Sequence, residues 1–171
     1  ESPMVAHQEG SLDPLRDIEN MDTEFILNDL VMVERKLERL TEEHRRGVSR
    51  PREEIQKEID TFKALQALLN ENLPLRHYKF SPEEEEFLAS YGFLSRKPQI
   101  IVFNQSEGQE APVYESPHPL TFVIALPAKL EMDIAALEPE DAEIFMEEYG
   151  ITELAMSRLI RLSYDLLGVY S

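Results

Sequence analysis

Apolar residues fall into two different rhythms along the chain. From Leu15 to Arg46 no proline or glycine interrupts, and Ile26, Leu30, Val33, Leu37 and Leu40 recur at alternating steps of four and three, the a/d seam of a heptad helix. Asp13 and Pro14 stand before this run as an N-cap and a proline at the first helical position. A helix of about 32 residues is about 48 Å long, too long for a domain of this size to cover, and it needs a partner. Gly47-Val48-Ser49-Arg50-Pro51 reads as a stop and a restart. Ile55, Ile59, Phe62, Leu65 or Gln66, and Leu69 then continue a seam at the same spacing. So short a connection forces two helices antiparallel. Residues 14 to 72 are therefore expected to form a helical hairpin, a two-stranded coiled-coil arm.

After Asn72-Leu73-Pro74, Ser81-Pro82-Glu83-Glu84 carries a capping box with proline at the first helical position, predicting a helix from Pro82 to about Tyr91 that stops at Gly92. The rhythm then changes. Gln99 to Phe103 and Leu120 to Leu126 are continuous apolar runs, the signature of strands buried on both faces of a parallel sheet. Between them, Ser106 to Pro119 contains Pro112, Pro117 and Pro119 and is barely long enough for a parallel crossover, so direct pairing of the two strands stays open. Glu138-Pro139-Glu140 opens a helix running to about Tyr149 and stopped at Gly150. A last helix, from about Thr152 to Leu167, places Leu159, Leu162, Leu166 and Leu167 on an apolar face before Gly168. Met4 to His7 suit the tail of a strand, with a turn at Gln8 to Ser11. The expected fold class is α/β carrying a long antiparallel helical-hairpin (coiled-coil) insertion.

Charge narrows the partners. Over 171 residues, 34 Asp and Glu outweigh 17 Lys and Arg, a formal charge of -17 that disfavours phosphate backbones and anionic lipid. Neither direct DNA binding nor membrane attachment is expected. There is no cysteine, which excludes disulfides, Cys-ligated zinc and thiol catalysis and suits a cytoplasmic location. No apolar run approaches the roughly 20 residues of a membrane span. Glu1 to His7 has neither the basic nor the apolar part of a signal peptide, and the chain starts without an initiator methionine, as a processed or excised segment would. Against this acidic background His44, Arg45, Arg46, Arg50 and Arg52 cluster at the expected hairpin tip. They offset a helix dipole, or they contact an anionic partner.

Candidate chemistry is sparse. The sequence has no G-x-x-x-x-G-K-[ST] loop and no G-x-S-x-G elbow, and its four histidines are scattered without metal-ligand spacing. Asp165-Leu166-Leu167-Gly168 is a helix end, and Glu83 to Glu86 is a dipole-favoured first turn. What remains is Lys97 to Glu107, a turn, a strand and a polar Asn-x-x-Glu at the strand's carboxyl end, where ligands bind in open α/β sheets. An asparagine amide pairs bidentately with adenine N6 and N7, or donates to guanine N7, and a carboxylate three residues on accepts from an exocyclic amine. Backbone N–H groups near Ala128 would complete such a pocket. The same residues are also ordinary turn chemistry after a strand.

Taken in order, Gly10-Ser11-Leu12-Asp13-Pro14-Leu15-Arg16-Asp17-Ile18-Glu19, the hairpin, Lys97-Pro98 before Asn104-Gln105-Ser106-Glu107, Ala128-Lys129-Leu130-Glu131, and Arg158-Leu159-Ile160-Arg161 before Leu166-Leu167-Gly168 resemble the YchF-type Obg-like ATPases, a branch of the translation-factor P-loop NTPases. The resemblance covers essentially the whole chain. It implies a partial Ras-like G domain: residues 1–13 ending a strand and linker, 14–95 the helical arm, and 96–171 the C-terminal half of the G domain, with the P-loop, both switches and a TGS domain outside these residues. By resemblance Asn104 binds the adenine edge, Gln105 touches the base through its main chain, Glu107 replaces the guanine-gripping aspartate of related GTPases, and Ala128-Lys129 lies on the far side of the base. The implied cofactors are ATP, or GTP, with Mg²⁺, and the implied partner is the ribosome, with Arg45, Arg46 and Arg50 as a docking tip. Pro127 departs from the family's Ser-Ala-Lys loop, and the connection after Glu107 is shorter and richer in proline. Lacking phosphate-cradling groups, this polypeptide is expected to be inactive alone and to bind nucleotide weakly at best. The alternative is a non-enzymatic docking module built on the hairpin.

Overall fold

The two longest helices, α1 (Pro14–Arg46) and α2 (Arg52–Asn70), pack against each other in opposite directions. Gln66 bonds to Glu34 at 3.5 Å, Lys36 pairs with Glu58 at 3.4 Å, and Arg50 approaches Glu43 at 3.8 Å, so residue numbers rise along one helix as they fall along its neighbour. The structure is a computed structural model, and it describes residues 12–47, 50–106 and 110–168. The expected Met4–His7 strand and Glu107 lie outside the described residues. Two units divide the chain: a helical unit, Arg16–Lys97, and an α/β unit formed by Pro98–Ser171 with Glu1–Leu15.

In the helical unit the heptad residues are the core. Ile26, Val33 and Leu40 of α1 and Ile55, Ile59, Phe62, Leu65 and Leu69 of α2 are buried, with Leu30 and Leu37 packed against them. Leu65 takes the seam position that its sequence neighbour Gln66 also fits, and Gln66 faces Glu34 instead. Gly47 ends α1 at a φ of +68°, and Asn72, one of the few side chains at ease in the left-handed region, turns the chain after α2 at a φ of 57°. The chain then folds back through a 3₁₀ turn (Leu75–His77) to α3 (Pro82–Leu88). Ser81 Oγ accepts from the Glu84 N–H, and Glu84 Oε2 accepts from the Ser81 N–H at 2.8 Å, the reciprocal box expected there. α3 stops at Leu88, short of the expected Tyr91. Tyr91 and Phe93 pack their rings on Phe62, at centroid distances of 5.2 and 6.4 Å, and this leads the backbone off the helix axis.

In the α/β unit β1 (Gln99–Asn104) and β2 (Thr121–Leu126) pair directly and in parallel, from Gln99 opposite Thr121 to Asn104 opposite Leu126. Their paired residues share a sheet face. Ile101 and Phe103 of β1 are buried on one face and Ile124 of β2 on the other, while Val102 and Phe122 stay exposed. Both faces are therefore covered, but only in part, which differs from the fully buried strands that the apolar runs suggest. α4 (Ala128–Ala135), a short helix without a strong sequence signal, follows β2 directly. α5 (Pro139–Glu148) and α6 (Ala155–Leu167) complete the unit, and Gly150 and Gly168 stand after them at φ values of 65° and 64°. On α6, Leu159, Leu162 and Leu166 are half-buried, but Leu167 is exposed, and Met156, Ile160 and Tyr164 line an exposed stripe. No helix among the described residues is long and apolar enough to cross a membrane.

Candidate functional site

Parallel pairing brings the carboxyl ends of β1 and β2 to one edge of the sheet. The ladder extends one step beyond the strands, with the Gln105 N–H donating to the Leu126 carbonyl at 3.0 Å. Asn104 Oδ1 accepts from the Ala128 N–H at 3.2 Å. This bond follows from the local sequence: Pro127 stands at the N-cap of α4 and has no side-chain acceptor, so the first turn of α4 finds one across the sheet edge. Asn104 is exposed, Gln105 and Ala128 half-buried, and Lys129 exposed on the first turn of α4. Of the five residues expected here, Asn104, Gln105 and Ala128 are thus held together, Lys129 stands beside them in sequence on α4, and Glu107 lies outside the described residues.

A pair of bonds to one carboxylate anchors the frame behind this edge. Glu131, on α4, accepts from the Ala155 N–H at 2.6 Å through Oε1 and from the Met156 N–H at 3.2 Å through Oε2. α6 has Leu154 at its N-cap and no side-chain cap of its own, so a carboxylate from another helix satisfies its first donors and faces its positive dipole end. Asn104 fixes the start of α4, and α4 fixes the start of α6. Nothing local in the sequence marks Glu131 as a cap. Only the missing capping side chain before Ala155 hints that one must come from elsewhere.

The helical unit holds a polar cluster that periodicity alone does not reveal. Asp29 is fully buried on α1, accepting from the Leu94 N–H at 2.8 Å, the Ser95 N–H at 2.7 Å and Ser95 Oγ at 2.6 Å. Ser95 Oγ in turn accepts from the Leu75 N–H, and Arg76, also buried, pairs with Asp22 at 2.6 Å. The signal for it was present: Asp29 lies three residues after Ile26 and four before Val33, an acid on the apolar face of the helix.

At the tip, Arg45 and Arg46 both bond to Glu42, at 2.9 and 2.6 Å, and Arg50 pairs with Glu58. The hydrogen bond from Arg45 holds the Glu42 carboxyl below its ordinary value, and Glu42 raises Arg45 in return. Arg50 is likewise raised, first by its hydrogen bond to Glu58. Arg45, Arg46 and Arg50 are each matched by a carboxylate of the same hairpin.

Comparison with known proteins shows what the chain is similar to. No family model matches the chain. It is 29% identical over 175 residues to the ribosome-binding ATPase YchF of Bacillus subtilis, covering 96% of this chain and 47% of that protein. With the ribosome-binding ATPase YchF of Escherichia coli O157:H7 it is 30% identical over 176 residues, covering 99% of this chain and again 47% of the relative. The chain is homologous to the YchF-type Obg-like ATPases. An Obg-like ATPase homolog of Saccharomyces cerevisiae is 33% identical over 106 residues, 60% of this chain and 26% of that protein. The chain spans about half the length of the YchF relatives it matches. Its relation to YchF is thus spread over both units, because the bacterial matches run across nearly all of the chain.

Proposed function

We propose that this polypeptide supplies the base-recognising half of an ATP-preferring, ribosome-associated NTPase of the YchF type, within a partial Ras-like G domain. The observation that carries the proposal is the Asn104–Ala128 bond, which ties the end of β1 to the start of α4 at the edge where α/β sheets take their ligands. Homology over 47% of the YchF length supports it further. In this reading Asn104, bonded through Oδ1 to Ala128, presents its amide to the edge of the purine. Gln105 and Ala128 wall the base, with Lys129 at the rim, and Glu107 is the proposed residue that turns the site away from guanine.

These groups fit the edge of a base. They do not fit a triphosphate with Mg²⁺: the sequence holds no phosphate-binding loop, and no group of carboxylates or histidines with metal-ligand geometry occurs among the described residues. No hydrolysis step is therefore assigned to this chain. Titration of the 171-residue chain with ATP and GTP, followed by backbone amide NMR, tests the proposal. Expected are shifts of Asn104, Gln105, Ala128 and Lys129 with ATP, a dissociation constant weaker than about 1 mM, and their loss in Asn104→Ala. Micromolar affinity, turnover, or shifts confined to other residues would overturn it.

A further inference from the structure

The helical unit carries a groove of about 240 Å³ beside the α1–α2 seam. Ala64, Ala67 and Leu68 of α2 form its floor, and two of these are alanines where longer residues would close it. Sites for cofactor-sized molecules run to about 300–1,000 Å³, so this one suits one or two side chains. Tyr78 and Phe80 stand at its wall as an edge-to-face pair with centroids 4.9 Å apart. Phe80 already has the Arg96 guanidinium 5.9 Å from its ring centre, while Tyr78 is half exposed.

The rim is acidic. Glu71 and Glu84 line it, and Glu71 occupies the C-cap of α2, where the helix dipole favours a cation over a carboxylate. Between Glu71 and Arg96 there are five glutamates against Arg76, Lys79 and Arg96, with Arg76 buried in its pair with Asp22 and Arg96 paired with Glu85. Aromatic faces and carboxylates around an apolar floor recognise a cation attached to an apolar stem. Nucleic acid and anionic lipid meet like charge here, and so would the same rim on a second copy of this chain.

We propose that this groove docks a cationic protein segment, seating an apolar side chain on the Ala64–Leu68 floor and a flanking arginine or lysine between Tyr78 and Glu71. The proposal is independent of the nucleotide edge. The chain contains no tryptophan, so a tryptophan in a peptide reports docking by its own fluorescence. The probe is a short peptide of alternating arginine and leucine with one tryptophan, titrated onto the full chain. Binding with a blue-shifted emission is expected, weakened about tenfold by Ala67→Phe, which fills an exposed part of the groove, and similarly by Glu71→Lys. Lysine at that C-cap suits the helix dipole, so Glu71→Lys keeps or raises helix content and its loss of binding is not unfolding. Glu147→Lys, an equal charge change on α5, leaves affinity unchanged. The proposal is overturned if the peptide does not bind, if both groove variants bind normally, or if Glu147→Lys weakens binding as much as Glu71→Lys. Equal binding of a peptide with serine for leucine, or with glutamate for arginine, would overturn it as well. So would self-association of the chain, seen by ultracentrifugation, that the two groove variants abolish.

Discussion

The helical unit and the α/β unit solve the same burial problem with unequal success. Twelve buried hydrophobic side chains form one cluster in the helical unit, centred on Phe62. In the α/β unit only Ile101, Phe103, Ile124 and Ile134 are comparably buried among the described residues, while Val102, Phe122, Met132, Ile144, Met156 and Ile160 lie exposed. The difference is geometric. Two long helices with complementary seams bury each other, and the segment from Leu75 to Phe93 folds over their base, so the seam positions find partners within the unit, while Met21, Leu27 and Val31 stay exposed. A two-stranded parallel sheet with three short helices has too little cover for its two faces, and single-residue seams give way to exposed stripes. The helical unit is a packed core that carries polar surface. The α/β unit is a frame of one strand pair and few buried side chains, with hydrogen bonds from Asn104 and Glu131 at the starts of α4 and α6.

The largest effect should come from the centre of the better-packed unit. Phe62→Ala removes the ring on which Phe87, Tyr91 and Phe93 converge and is expected to cost about 3–5 kcal/mol in urea denaturation. If it costs less than Ile124→Ala in β2, the contrast between the units fails. Asp29→Ala leaves the N–H groups of Leu94 and Ser95 without their buried acceptor and should cost about 3 kcal/mol, with hydrogen exchange rising first at Leu94 and Ser95. An unchanged exchange rate at those two amides would show that water replaces the carboxylate without loss.

In the α/β unit single contacts count for less in total but more locally. Glu131→Ala is expected to lower stability by about 1 kcal/mol, the scale of a lost helix cap, and to speed exchange in the first turn of α6. Equal fraying at both ends of α6 would argue against Glu131 as its cap.

The smallest effect concerns pH at the exposed tip. Glu42 titrates below its ordinary value of 4.5 because of its hydrogen bond to Arg45. A depressed carboxyl pKa means that this pair contributes stability above the unfolded value, and the contribution is lost as pH falls through the folded one. In NMR titration, Arg45→Ala should move Glu42 back up toward its ordinary value with little change in overall stability, since exposed pairs are strongly screened.

Much of the helical unit was legible in the sequence because its information is local and periodic. Ile26 to Leu40 and Ile55 to Leu69 announce both helices and the face each buries, Gly47 and Pro51 mark the break between them, and the Ser81–Glu84 box marks the start of α3. The strands were legible as apolar runs, and Asn104, Gln105 and Ala128 as residues belonging to one sheet edge. α4 was not, because eight residues carry too little periodicity to stand out. Nor was the choice between Leu65 and Gln66, since both suit the seam.

What the sequence determined by itself, then, is the hairpin, its seam and the order of elements, all of which follow from spacing along one chain. Tertiary structure alone decided that β1 and β2 pair directly, that Asn104 meets Ala128 and Glu131 caps α6, and that Asp29 is buried. Each of these joins residues between 20 and 70 positions apart by one or a few hydrogen bonds. Such contacts leave no periodic trace. They are set by where the packed helices and the strand register bring donors and acceptors together.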